Sequence, residues 1–283
     1  MTAVGLVLAM AISANPTPVA RDGGSALSPM PTDAQCHALG ALLKPLPFGP
    51  GETLEYDVDA LGAKAGSMVM RVLPFRSDGR MAIEVAVETN TFFSKVRRVK
   101  GTGTSTMDPR TLRPTRYIED ATENEVHRVA DVTFGKSRTG KLVITTQGTV
   151  SSDDLRWGGG DITDVAGAVF VLRSVPLAQG QSLCFDAYAI RKIWRVWGTV
   201  LPREHASLPL GEFEAWHLAG TAARLDRPDI RREVHVWVSD DARRLPLAAL
   251  GSIDLGAVRA TLRAFQRPGE RGSRAENRGN LTW

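Results

Sequence analysis

Leu54-Glu55-Tyr56-Asp57-Val58-Asp59-Ala60 puts apolar side chains on even positions and carboxylates on odd ones. A repeat of two residues is the period of a strand with one dry face and one wet face. Working outward, Met81-Ala82-Ile83-Glu84-Val85-Ala86-Val87-Glu88 shows the same alternation, with Ile83, Val85 and Val87 on one side. Ser77-Asp78-Gly79-Arg80, just before it, carries the Asp-Gly pair of a tight hairpin turn. The signal returns at residues 128–134, 141–146, 190–200, 213–219, 233–239 and 258–265, with polar turn clusters between the runs. Many short strands separated by turns predict a mainly β chain: a curved antiparallel sheet or a half-open β-barrel.

One or two short helices interrupt this pattern. Asp161 or Thr163 can cap a helix over residues 164–173, with Val165, Val169 and Leu172 on one stripe and Pro176 ending it. Such a helix is expected to pack across the open sheet as a lid or plug. A second short helix is predicted over residues 35–43, stopped by Pro45 and Pro47. Trp194 and Trp197 differ in parity, so a regular strand would send at most one of them into the core. Gly158-Gly159-Gly160 reads as a long flexible turn leading into the helix.

The first twenty residues carry no charged side chain, and residues 3–14 form an unbroken run of small and apolar residues. That run is shorter than the roughly 20 residues a membrane-spanning helix needs. It ends in Ile12-Ser13-Ala14, a small-x-small cleavage pattern, so residues 1–14 read as a secretory signal. No Lys or Arg precedes the run, which suggests a weak signal or a start codon placed too far downstream. The expected order is signal 1–14, flexible leader 15–34, one β-rich domain 35–266 and a disordered Gly/Arg/Ser tail 267–283. Export implies a periplasmic or secreted protein, and in that setting Cys36 and Cys184 are expected to form a disulfide. The bridge would close a loop of 184 − 36 = 148 residues. Neither cysteine lies in a lipidation motif. A net charge of +4, spread over 35 basic and 31 acidic side chains, gives no clustered basic face and argues against a nucleic-acid partner.

Motifs for catalysis are absent. No glycine-rich stretch extends to a phosphate-binding loop, and no G-x-S-x-G elbow occurs. The histidines, His37, His127, His205, His217 and His235, lack metal-ligand spacing; His217 and His235 could meet across a sheet but read as half-exposed strand residues. The acidic pairs Glu119-Asp120, Asp153-Asp154 and Asp240-Asp241 read as solvated turns, and residues 119–125 as a hydrophilic loop with at most a calcium contact. The cation-rich runs 95–100 and 191–197, with aromatics in the second, could bind anionic headgroups or glycans but read first as charged outer faces that discourage edge pairing. Trp283 ends the chain as in outer-membrane barrels, but with aromatics at 6% there are too few rings for two interfacial girdles, so the chain is not expected to span a membrane. No cofactor is expected.

Residues 47–58 (Pro-Phe-Gly-Pro-Gly-Glu-Thr-Leu-Glu-Tyr-Asp-Val), Gly62-Ala63-Lys64-Ala65-Gly66, residues 111–117 and 209–215, and Val236-Trp237-Val238-Ser239-Asp240-Asp241-Ala242 through Pro246 together resemble the bacterial family called domain of unknown function 3108. The resemblance spans about residues 47–265. It implies an exported or envelope-associated β-rich protein with no established activity, and its plan looks like half-open barrels that shuttle lipoproteins and lipids. The expected function is a non-catalytic binding module for a lipid or other hydrophobic ligand. The cavity would lie between sheet and helix and be lined by Val165, Val169, Leu172, Val234, Val236 and Val238. The alternative is a structural or assembly factor of the cell envelope acting through protein contacts; a glycan hydrolase ranks behind both.

Overall fold

The computed structural model describes residues 29–36, 39–159, 161–253, 256–268 and 273–274. The signal segment, residues 15–28 of the leader and most of the tail lie outside the described residues.

Alternation becomes strand wherever the sequence shows it. In β1 (Thr53–Ala60) the even residues Leu54, Tyr56, Val58 and Ala60 are buried and the odd ones are half-buried. β1 starts an antiparallel meander of β2 (Ala63–Val72), β3 (Met81–Thr89), β4 (Val99–Met107), β5 (Pro114–Glu123), β6 (Val126–Phe134), β7 (Thr139–Thr146) and β8 (Thr149–Arg156). The β1–β2 turn uses Leu61 and Gly62, both at positive φ, as a two-residue hairpin requires. Gly66 allows a close approach: a β-carbon there would strike the backbone of Glu88 and Thr89 on β3.

A second run contains β9 (Ile162–Asp164), α1 (Val165–Ser174), β10 (Ser182–Ala189), β11 (Lys192–Val200), β12 (Glu204–Leu208), β13 (Gly211–Arg224), β14 (Arg231–Ser239), β15 (Pro246–Ile253), β16 (Gly256–Gln266) and β17 (Ser273–Arg274). β9 lies parallel to β10, and the order continues β11, β13, β14, β15, β16, all antiparallel. β16 then pairs with β1, from Thr53 opposite Gln266 to Ala60 opposite Val258, which joins the two runs into one 17-stranded sheet. β12 flanks the first half of β13, and β17 the end of β16. The outer edges, β8 and β9, do not pair with each other among the described residues, so the curved sheet is not closed into a barrel.

α1 sits in the hollow of this sheet. All its residues but Ala168 are buried, so it is a plug more than a one-sided lid. Its cap is Asp164, which accepts from Gly167 N at 2.8 Å, and not Asp161 or Thr163. Asp161 instead accepts from Leu39 N at 3.0 Å. Phe170 stacks edge-on against Phe48 with ring centroids 4.7 Å apart. Full burial of Phe170 and its apolar neighbours contributes about 1.5–3 kcal/mol per large side chain.

Other expectations are corrected. No helix forms over the described part of residues 35–43; Asp33–Gln35 make a turn, with Cys36 N bonded to Thr32 O, and the following chain is irregular. The expected loop at 119–125 is mostly β5, with Glu119 buried and only Asn124 and Glu125 in the turn. Asp153 and Asp154 are exposed strand residues of β8. Within the expected disordered tail, Ser273–Arg274 pair with β16, and Arg267 binds Glu52 at 2.5 Å.

Trp194 and Trp197 are both buried, at 2% and 8% exposure, because β11 is covered on both faces. Trp197 stands opposite Cys184, and Arg195 on the same face binds Asp186, Pro31 O and Asp33. The end of the leader is therefore docked. Cys36 and Cys184 form a bridge beside it, with Cα atoms 5.1 Å apart. Gly158 and Gly159 are the groove that receives Asp33, since a β-carbon on either would collide with it.

Candidate functional site

The concave face of the sheet and α1 do not meet everywhere. Between them lies an apolar cleft with about 980 Å³ of space free of protein atoms, its open mouth included. Val165, Ala168, Val169 and Leu172 of α1 form one wall, and Val234 and Val236 of β14 face them. Of the six residues that sequence reasoning put here, Val238 alone is elsewhere. It stays in register with Trp216 of β13 and is fully buried in the core. Met68 and Met70 of β2, Trp194 of β11, and Val258 and Ala260 of β16 complete much of the wall. A smaller space of about 350 Å³ adjoins at Leu172, Phe185, Val196, Val234 and Val236. Apolar clefts of several hundred cubic ångströms are the usual form of small-ligand sites.

Polar groups near the cleft are spent on holding its walls. Tyr56 donates its hydroxyl to Pro246 O at 2.9 Å, tying β1 to β15, and burial raises its phenol well above the usual range. Two buried clusters hold α1. At its start, Asp164 accepts from Ser105 Oγ at 2.5 Å as well as from Gly167 N, and burial raises its carboxyl to about 6. At its end, Arg173 is fully buried between the rings of Phe48 and Phe170, at 5.2 and 5.1 Å. Its guanidinium donates to both oxygens of Glu52 (2.5 and 3.2 Å), to Arg244 O at 2.8 Å and to Arg243 O at 3.2 Å. The plug is thus fixed by charge-assisted bonds at each end, and the cleft beside it keeps its shape.

His217 and His235 do meet, Nε2 to Nδ1 at 2.8 Å, on the face of β13 and β14 away from the cleft. Trp237 stacks on His217 at 4.4 Å, His235 reaches Glu233 at 2.9 Å, and burial lowers the His217 pKa. No group of three or more side chains suited to a metal ion occurs among the described residues. No helix among them is long and apolar enough to cross a membrane. The missed wall residues on β15 and β16 are mostly alanine and glycine, whose small side chains leave space but carry no pattern that announces it.

A β-barrel-like protein of domain of unknown function DUF1849 from Brucella abortus has a similar fold, with TM-score 0.51, 10% identity, and 77% of this chain and 98% of that chain covered. A protein with a YmcC-like fold from Bacteroides fragilis matches at TM-score 0.32 and 8% identity, over 81% of this chain and 100% of that chain. No curated protein matches. The Cys36–Cys184 pair fits an extracytoplasmic compartment, where disulfides persist. Residues 55–263 match the family described as protein of unknown function (DUF3108), and the chain belongs to that family.

Proposed function

We propose that this protein is a non-catalytic binding module that holds a lipid or other hydrophobic ligand in the cleft between α1 and the sheet, in the bacterial periplasm after removal of its signal. The cleft itself carries this reading. Its walls are almost wholly aliphatic and aromatic, and a core built for stability alone would be filled at crystal-like density. The polar clusters at both ends of α1 point the same way, because they hold the plug in place without filling the space beside it. The test is mass spectrometry of the protein purified natively from its own cells, followed by titration with labelled fatty acids. Copurified lipid, or micromolar binding displaced by filling the cleft, is expected; a protein that carries nothing and binds nothing refutes the reading.

A second reading, an envelope assembly factor, is favoured by β8. Residues 149–154 are exposed, Val150 to 64%, and the strand's outer edge has no strand partner among the described residues. An open edge can accept a strand from another protein. Crosslinking in cells from position 150 distinguishes the two, since a ligand carrier gives no reproducible protein adduct there.

A further inference from the structure

Among the described residues six large apolar side chains are exposed, and they are not scattered. In an antiparallel meander the turns after β1, β3, β5 and β7 all fall at one end of the strands. Leu61 lies in the first of these turns, and Phe92 and Val96 lie in the second. Val126 and Val150 stand at the start of the strands that leave the third and fourth. The sixth, Phe75, is in the β2–β3 turn at the other end. Neighbouring turns of this rim are two strand spacings apart, about 10 Å, so the tips form a row roughly 30 Å long.

The tip between β3 and β4 is held outward by its own loop. Phe93–Lys95 form a single 3₁₀ turn there. Phe93 and Arg97, four residues apart, are buried on its inner side, where Arg97 pairs with Glu123. Phe92 and Val96, also four apart, are therefore turned to solvent, 69% and 60% exposed. Asn90 pins the loop, accepting from Phe93 N at 2.7 Å and donating to Lys64 O at 2.5 Å. A loop fixed in this way keeps two apolar side chains in water instead of folding them inward. Lys95 and Arg98 are exposed beside them, and neither forms an ion pair among the described residues. Glu125 is exposed in the adjoining turn, so the cations act locally, next to Phe92 and Val96, and not as a uniformly basic rim.

We propose that this rim docks on a lipid bilayer, with Phe92 and Val96 entering the boundary between headgroups and acyl chains and Lys95 and Arg98 meeting lipid phosphates. The spacing of the tips favours a bilayer over a protein. A protein interface is built around a contiguous apolar centre, and here polar residues such as Ser94, Asn124 and Gln147 separate the tips. A bilayer takes up apolar side chains one by one, to a depth of about 5–10 Å. The inference goes beyond the cleft reading and stands without it. The cleft wall reaches the same end of the sheet at Val258, opposite Ala60 of β1, so a bilayer under the rim lies next to it.

The experiment is co-sedimentation of the full chain with vesicles of phosphatidylglycerol and phosphatidylethanolamine, and separately with vesicles of phosphatidylcholine. The expected result is binding that falls at least about tenfold when Phe92→Ser and Val96→Ser are combined. Phe75→Ser, a comparably exposed side chain at the opposite end, should leave binding unchanged. Lys95→Gln with Arg98→Gln should weaken binding to the anionic vesicles at least about fivefold and erase their advantage over phosphatidylcholine. An unchanged urea midpoint shows that each variant folds. Hydrogen exchange of the unaltered protein needs no variant: vesicles should slow the amides of residues 91–97 and leave those of residues 73–80 as they were. Equal binding to both kinds of vesicle overturns the role of the cations and leaves the apolar tips standing. No sedimentation with either vesicle, or a loss as large in Phe75→Ser, overturns the docking face.

Discussion

Replacing Arg173 by Met tests whether the buried cation fixes the plug. Methionine keeps most of the apolar stem between Phe48 and Phe170 and removes the charge. Four bonds of 3.2 Å or less are lost, two of them to Glu52. Bonds to charged groups contribute about 1.5–3 kcal/mol each in isolation, but they do not add within one network. Removing one partner of a buried pair costs about 3–5 kcal/mol, largely through the charge left behind. Glu52 retains Arg267 at 2.5 Å, which places the expected loss in the lower half of that range. With a urea slope of about 3 kcal/mol/M, the unfolding midpoint should fall by about 1 M at unchanged slope. Arg173→Met combined with Glu52→Gln should cost less than the sum of the single changes, because the stranded carboxylate is gone. A midpoint shift under about 0.3 M for Arg173→Met, or strict additivity in the double variant, would refute the argument.

Asp164 gives a pH signature. Its carboxyl moves from 3.8 unfolded to about 6 folded, so the folded state favours the protonated form. Its contribution is fullest below pH 3.8 and is lost as pH rises through 6. A rise of that size corresponds to about 3 kcal/mol. Urea midpoints at pH 4 and pH 7 should therefore show Asp164→Asn gaining on the parent by about that amount, and a pH-independent difference refutes the assignment. Reducing the Cys36–Cys184 bridge frees a loop of 148 residues and should cost up to about 5 kcal/mol, read as a lower thermal midpoint in reductant; an unmoved midpoint contradicts it. Gly158→Ala should displace Asp33 and cost about 1–3 kcal/mol, with faster protease cleavage near residue 33 as the specific readout. Ala168→Trp should fill the cleft and abolish fatty-acid binding while the near-native unfolding midpoint is kept; undiminished binding places the ligand elsewhere.

Strand periodicity made β1 and β3 readable from Leu54 to Ala60 and from Met81 to Glu88, because one side of each strand meets the core and the other meets polar surroundings. The same rule failed at Trp197. It assumes a sheet wetted on one side, and the docked leader and the bridge to Cys36 cover β11 from the other. It failed differently at Val238, which keeps the register and the face of Val236 but is buried in the core and does not line the cleft. Part of the cleft was visible in the stripes of α1 and β14. The part on β15 and β16 is largely space left by Ala248, Gly251 and Ala260, and an absence of side chain has no periodic signature. Arg173 was invisible for a related reason: a cation in the last turn of a helix looks solvated until Phe48, Glu52 and the 243–244 turn are seen to converge on it.

Pairing of Thr53 with Gln266 has a kinetic consequence. Each meander is made of chain neighbours and can zip up soon after it is synthesised, but the stitch between them waits for residues made some two hundred positions later. Until then β1 offers one bare flank to any passing extended polypeptide. Slow maturation and vulnerability to aggregation should therefore concentrate at that single late event, and chaperones that mask exposed strand flanks should matter most there.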